Sequence, residues 1–295
     1  MRNAFAQTLV QYGGREDHFF LTGDLGFMAL EEVQAAFGNR FINAGVAEQN
    51  MIGVAAGLAR EGFKVLAYSI APFCYARPFE QIRNDICLSD LPVCLVGNGG
   101  GYAYGHMGPT HHALEDCAVM RALGVRVRVP AFDEDLPAML ADISAPTYLR
   151  LGYDVRPMGT EVPMYAPWRQ VLDGHAGVLV ALGPLAGLAW QALLDLPLAQ
   201  RPSVWAVTEF DLDAIPDAFW RALQHQSLFV IEEHVEAGGL GMHIAMAMAR
   251  KGVAPRRFVH RGALRYPSGR FGSQGFHRAE CGLDAPGIRS MVGST

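Results

Sequence analysis

The chain has 295 residues, 51% hydrophobic and 18% charged, with a formal net charge of −5 and a mean hydropathy of +0.14. That length and apolar content suffice for two cores of ordinary size, and a negative balance with no basic run argues against a nucleic-acid surface. Five cysteines with no Cys-x-x-Cys pair read as reduced thiols of a cytoplasmic protein, no basic-then-apolar leader opens the sequence, and no apolar run approaches a membrane span.

Ala4, Phe5, Leu9 and Val10 recur at helical spacing and predict an opening helix over 2–12. A strand over 18–21 ends in Thr22-Gly23-Asp24-Leu25-Gly26. A second short strand, 41–44, turns at Gly45 and Val46 into a helix rich in small residues, about 48–58. Glu48 therefore sits where a strand hands over to a helix N-terminus, the place where open α/β sheets put ligands. The helix dipole favours a carboxylate there, although a plain capping role satisfies the same spacing.

The next strand, 64–70, passes through Ala71-Pro72-Phe73-Cys74-Tyr75-Ala76-Arg77 into a helix predicted over 79–88. Phe73 and Tyr75 are either core aromatics or rings that stack on a flat heteroaromatic ligand. A buried strand, 91–97, empties into the glycine-rich run from Asn98 to His112. Its glycines do not spell Gly-x-Gly-x-x-Gly, which argues against a dinucleotide loop. His106, His111 and His112 lack the carboxylate or cysteine neighbours of a metal site. An alternating strand over 124–130, a helix over 133–141 and the run 146–152 complete a first α/β unit.

Three prolines between 153 and 167 mark a linker. Strands over 177–183, 204–208 and 228–232, with helices over 184–194 and 239–251, predict a second α/β unit. The expected organisation is a first domain over 1–155, a linker over 156–168 and a second domain over 169–295. Both are expected to be open α/β domains with largely parallel sheets.

Gly45-Val46-Ala47-Glu48-Gln49-Asn50-Met51 resembles the signature segment of the pyrimidine-binding domain of transketolases and deoxyxylulose-phosphate synthases. Phe79-Glu80-Gln81-Ile82-Arg83-Asn84-Asp85 resembles the stretch after that family's cofactor-stacking aromatic, and Gly108-Pro109-Thr110-His111 resembles its Gly-Pro-Thr-His. Ile231-Glu232-Glu233-His234, Gly238-Gly239-Leu240-Gly241 and Phe271-Gly272-Ser273-Gln274-Gly275 are similar to the transketolase carboxy-terminal domain. The resemblance implies that Glu48 is the catalytic residue, hydrogen-bonding the aminopyrimidine of thiamine diphosphate. It implies that Phe73 and Tyr75 stack on that ring and that Arg77 belongs to the same cofactor site. His111, with His106, would orient substrate oxygens. Arg150 would hold a substrate phosphate, a task suited to a bidentate guanidinium, although a surface arginine fits that position too.

Two departures qualify the resemblance. Gly23-Asp24 runs on to Leu25 and so does not open the family's Gly-Asp-Gly metal motif; the role of Asp24 stays open. Met107 stands where the family usually has an Asp that reads a substrate hydroxyl, which points to a less polar substrate of specialised metabolism unless Met107 merely fills a loop. The first departure implies a beta-type subunit of a split transketolase-like enzyme. A diphosphate-binding, alpha-type partner would share the thiamine diphosphate and hold Mg2+ or Ca2+ in a heterotetramer. The implied activity is transfer of a two-carbon ketol unit from a ketone donor to an aldehyde acceptor. A 2-oxo acid dehydrogenase beta subunit, whose signature usually reads Ser-Glu-Gln, and a non-catalytic scaffold are the alternatives.

Overall fold

In the first half, β-branched and aromatic runs form six strands: β1 (His18–Thr22), β2 (Phe41–Asn43), β3 (Lys64–Ile70), β4 (Val93–Asn98), β5 (Arg126–Arg128) and β6 (Thr147–Leu151). They pair in the order β2-β1-β3-β4-β6-β5, every pair parallel. The computed structural model describes residues 1–13, 15–26 and 28–293. Alternation along β3 sends Val65 and Ala67 into one core cluster and Leu66 and Tyr68 into another, as the period of a strand requires. The helix Glu48–Arg60 covers the first face through Met51, Ile52, Ala55, Ala56 and Ala59. The helices Arg2–Tyr12, Glu31–Phe37 and Leu136–Ala141 cover the second through Phe5, Leu9, Val33, Phe37 and Leu136. A parallel sheet buried on both faces reads as near-continuous apolar runs, which is why these strands are legible in the sequence.

The second sheet contains β7 (Trp168–Leu172), β8 (Val178–Leu182), β9 (Ser203–Val207), β10 (Ser227–Ile231) and β11 (Arg257–Arg261) in the order β11-β10-β8-β9-β7. All pairs are parallel except β7 with β9. Helices Leu185–Leu193, Asp217–Leu223 and Leu240–Lys251 make the crossovers. One apolar cluster joins the two halves, running from Val93 and Leu95 to Val180 and Val207. Both halves are thus α/β units with largely parallel sheets, and among the described residues no helix or strand lies between β6 and β7.

Several elements differ from expectation. β7 and β11 are sheet edges, where short strands tolerate the charges of Arg169, Arg257 and Arg261 and give no apolar run. The helix predicted over 79–88 is an α-turn, Phe79–Gln81, that widens into a π-type turn, Ile82–Cys87. The short helices Glu31–Phe37 and Asp116–Ala122 were beyond the periodicity, being only two turns long. Among the described residues no helix is long and apolar enough to cross a membrane.

Candidate active site

Parallel strands deliver their C-terminal ends to one edge of the sheet, so the segments after β2, β3 and β4 meet there. After β2, the Asn43 side-chain oxygen accepts from the Gly45 N–H at 2.9 Å. Gly45 has φ +68°, in the left-handed region that glycine enters without strain. The helix starts at Glu48 with Ala47 as its N-cap and no side-chain cap bond. The Glu48 carboxylate, 6% exposed, instead accepts a hydrogen bond from Arg77 Nη1 at 2.7 Å.

Arg77 comes from the segment after β3. Its guanidinium carbon lies 3.6 Å from the centroid of the Phe73 ring, a cation–π stack, and its carbonyl accepts from the Gln49 amide at 3.4 Å. Phe73 meets His111 edge-on at 5.1 Å. His111 Nδ1 is 2.8 Å from the Thr110 hydroxyl, and its ring lies 5.9 Å from that of Tyr104. The Tyr104 hydroxyl accepts from Asn98 Nδ2 at 2.8 Å, tying the row to the end of β4. Glu48, Arg77, Phe73, His111 and Tyr104 are therefore contiguous. Beyond Tyr104 and Asn98 opens a cavity of about 410 Å³ that Arg2 and Tyr153 also line.

The remaining candidates lie elsewhere. Tyr75 is 4% exposed. Its hydroxyl donates to Glu115 Oε1 at 2.9 Å and its ring meets Tyr148 edge-on. Burial, with Asp116 and Glu115 nearby, pushes that hydroxyl far above the ordinary phenol range. With no open face, Tyr75 is a core aromatic and not a stacking ring, a correction to the sequence reading. Arg150 is corrected likewise. It is 5% exposed and donates to Asp116 Oδ2 at 2.8 Å and to the carbonyls of Ala113 and Glu233 at 2.8 and 2.9 Å. Burial alone would lower its pKa, but Asp116 and the other acidic groups around it more than compensate and hold it above the usual range. Arg150 is neither a surface arginine nor one free to grip a phosphate. His106 and Met107 sit exposed on the turn Gly105–Met107 of the His111 loop. Asp24 is exposed and accepts from the Asn43 amide at 3.3 Å. His112 is 4% exposed, its ring nitrogens bonded to the Gly105 carbonyl and the Tyr266 hydroxyl, and burial lowers its pKa.

The sequence reading missed the charged junction between the sheets. Glu233 accepts from the Tyr102 N–H at 2.6 Å, Gln274 Nε2 at 2.9 Å and Arg278 Nε at 2.6 Å. Glu232 accepts from the N–H groups of Leu240 and Gly241 and from His260. The paired glutamates of Ile231-Glu232-Glu233-His234 were the available signal. Asp116, Cys117 and His234 also bring ligand atoms within 4.8 Å of one another. Asp116 is engaged by Arg150 and Tyr148, and His234 by the Ala118 N–H and the Val235 carbonyl, so this group belongs to the junction.

Comparison with known proteins bears on this edge. The transketolase pyrimidine-binding domain family matches residues 1–152. The chain is 30% identical to one subunit of the apulose-4-phosphate transketolase of Phocaeicola vulgatus, covering 86% of this chain and 85% of that one. It is also 30% identical to a putative transketolase C-terminal section from Methanocaldococcus jannaschii, over 86% and 83%. Against the 1-deoxy-D-xylulose-5-phosphate synthase 2 of Geobacter sulfurreducens the identity is 32%, over 86% of this chain but 42% of the relative. Among solved structures, a split-gene transketolase described as an inactive beta4 tetramer superposes with TM-score 0.80 at 28% identity, covering 99% of this chain and 96% of that one.

Proposed function

The chain belongs to the transketolase family, and we propose that it is the beta-type, pyrimidine-holding subunit of a split thiamine diphosphate-dependent transketolase-like enzyme. The likeness to one subunit of the apulose-4-phosphate transketolase and to a putative transketolase C-terminal section supports that reading; the chain spans 42% of the length of the single-chain synthase it matches. A diphosphate-binding subunit carrying Mg2+ or Ca2+ would complete the site, because a diphosphate needs a bridging cation and Gly23-Asp24-Leu25 does not offer the family's motif.

The observation that carries the proposal is the row Glu48–Arg77–Phe73. A flat, hydrogen-bond-donating cation already rests on the Phe73 face while donating to the Glu48 carboxylate. An aminopyrimidine is also flat and presents a donor when its ring nitrogen is protonated, so the residues present fit the group. When bound, the cofactor supplies the carbanion-type chemistry that breaks and re-forms a carbon–carbon bond beside a carbonyl. The chain's own part is positional and protonic. Glu48, at a helix start and 6% exposed, would hold a proton shared with the pyrimidine nitrogen. Phe73 would set the plane of the ring. His111, fixed by Thr110 and Phe73, would orient donor and acceptor oxygens, with His106 nearby on the same loop. Met107 in place of a carboxylate favours a substrate without a hydroxyl at the carbon that an Asp would read.

The test is isothermal titration of thiamine diphosphate and magnesium into the isolated chain and into its complex with the diphosphate-binding subunit. We expect sub-micromolar binding and ketol transfer only in the complex. Turnover by the isolated chain, or a stable complex that never binds the cofactor, would overturn the proposal.

A further inference from the structure

Arg77 poses a problem for any ligand that needs Glu48 and Phe73. Its Nη1 is 2.7 Å from the Glu48 carboxylate, and its guanidinium plane covers Phe73 at 3.6 Å. Those are the two surfaces that the proposed function assigns to the aminopyrimidine. That carboxylate oxygen and the covered ring face cannot serve a second flat donor while the guanidinium stays in place. We propose that Arg77 is a seat-holder, which neutralises Glu48 and shields Phe73 until the cofactor's pyrimidine displaces it. The inference rests on the proposed function and adds a competition internal to the chain.

The physical case has three parts. First, a carboxylate that is 6% exposed is costly to leave without a partner, so Glu48 needs a counter-ion or a hydrogen-bond donor. Arg77 is the one that the structure provides. Second, Arg77 is able to leave. Its side chain is 44% exposed, and the contact with the Gln49 side chain involves its backbone carbonyl, so the guanidinium can swing out without breaking the chain path. Arg150, in contrast, is 5% exposed and held by Asp116 and two carbonyls. Third, the contacts released are modest: a half-exposed ion pair and one cation–π stack. The penalty is therefore large enough to tune cofactor affinity and small enough for the ligand to overcome. Arg77 is a positioning residue in this scheme, acting on the readiness of Glu48 and Phe73.

The experiment measures thiamine diphosphate affinity of the assembled complex by titration calorimetry, with magnesium in excess, for the parent, Arg77→Gln and Arg77→Lys. Turnover is not needed for the readout. Removal of the competitor is expected to tighten binding about fivefold, the order expected for loss of a half-exposed pair plus one stack. Lysine, a compact cation without the planar stack, should give an intermediate value. Melting temperatures of the uncomplexed chain report whether each variant folds. Folded Arg77→Gln that binds the cofactor as the parent does, or more weakly, overturns the proposal and makes Arg77 a bystander or a cofactor ligand. If the parent complex and both variants all fail to bind the cofactor, the functional reading itself has failed, a pattern distinct from parent binding without a gain in the variants.

Discussion

Arg77, in the segment after β3, and Arg150, near the end of β6, each pair with a buried carboxylate at 2.7–2.8 Å, yet they belong to different kinds of site. Arg150 and Asp116 are both at most 5% exposed, and two carbonyls also accept from the arginine. That pair serves the junction between the sheets. At the other place the carboxylate is buried, but its arginine is 44% exposed and lies on an aromatic face that a ligand could use. An ion pair closed on both sides is structure. One closed on the carboxylate side and open on the other has a group that can be exchanged. The contrast separates scaffold from candidate active site more sharply than charge or burial alone.

The largest effect that sharpens this contrast is on the open side. Glu48→Gln keeps the shape and the bond to Arg77 but cannot exchange a proton with a pyrimidine nitrogen. In the complex with the diphosphate-binding subunit we expect turnover to fall about two to four decades, the usual loss for a proton-transfer group. The melting temperature should stay close to the parent's. Near-parental turnover would return Glu48 to a plain role at the helix start.

On the closed side the damage should be to folding. Arg150→Met leaves Asp116 buried without its charged partner. Breaking a buried pair from one side typically costs about 3–5 kcal/mol, which urea unfolding of the isolated chain would read directly. The double variant Arg150→Met with Asp116→Leu should recover a good part of that loss, because no charge is then stranded. If Arg150→Met unfolds like the parent, the junction is not the strut described here.

The same contrast explains what the sequence could reveal. The place of Glu48 at a helix start was legible because a strand-to-helix handover is local. The strands β3, β4 and β8–β10 were legible because burial on both faces makes them apolar throughout. Tyr75 and Arg150 were not separable from Phe73 and Arg77, since which way a side chain points depends on partners 34 to 83 residues away: Glu115 for Tyr75, and Asp116 and Glu233 for Arg150. The Glu233 cluster joins segments more than 40 and up to 131 residues apart, a distance that no periodicity encodes. β11 and β7 escaped because edge strands carry charge in place of an apolar run.

A smaller effect concerns Met107, which is 58% exposed on the His111 loop. Met107→Asp should leave stability unchanged, being a surface substitution on a turn. In the complex, kcat/KM for a hydroxylated ketose phosphate donor is expected to rise about tenfold, within the range that one hydroxyl contact confers. A parent enzyme that already prefers such donors over less polar ketones would remove Met107 from the specificity argument.

The smallest effect separates two rings only two residues apart. Tyr75 and Phe73 were equal candidates to stack on a cofactor, and the structure divides them: Tyr75 is 4% exposed, whereas Phe73 borders Arg77 and His111 at the sheet edge. Tyr75→Phe keeps the ring and loses only the bond to Glu115. Glu115 is partly exposed and can turn to water, so the cost should be about 1 kcal/mol of stability, the net worth of one hydrogen bond, with cofactor affinity in the complex unchanged. Phe73→Leu should do the reverse. The aromatic face disappears from the edge, cofactor affinity drops several-fold as a stacking contact of about 0.5–1.5 kcal/mol is lost, and the unfolding midpoint moves little because Phe73 is not in the buried core. The pair is read together, by urea unfolding of the isolated chain and by titration of the complex. If Tyr75→Phe weakens the cofactor and Phe73→Leu does not, the stacking ring has been placed on the wrong residue and the open edge described here is not the cofactor's seat.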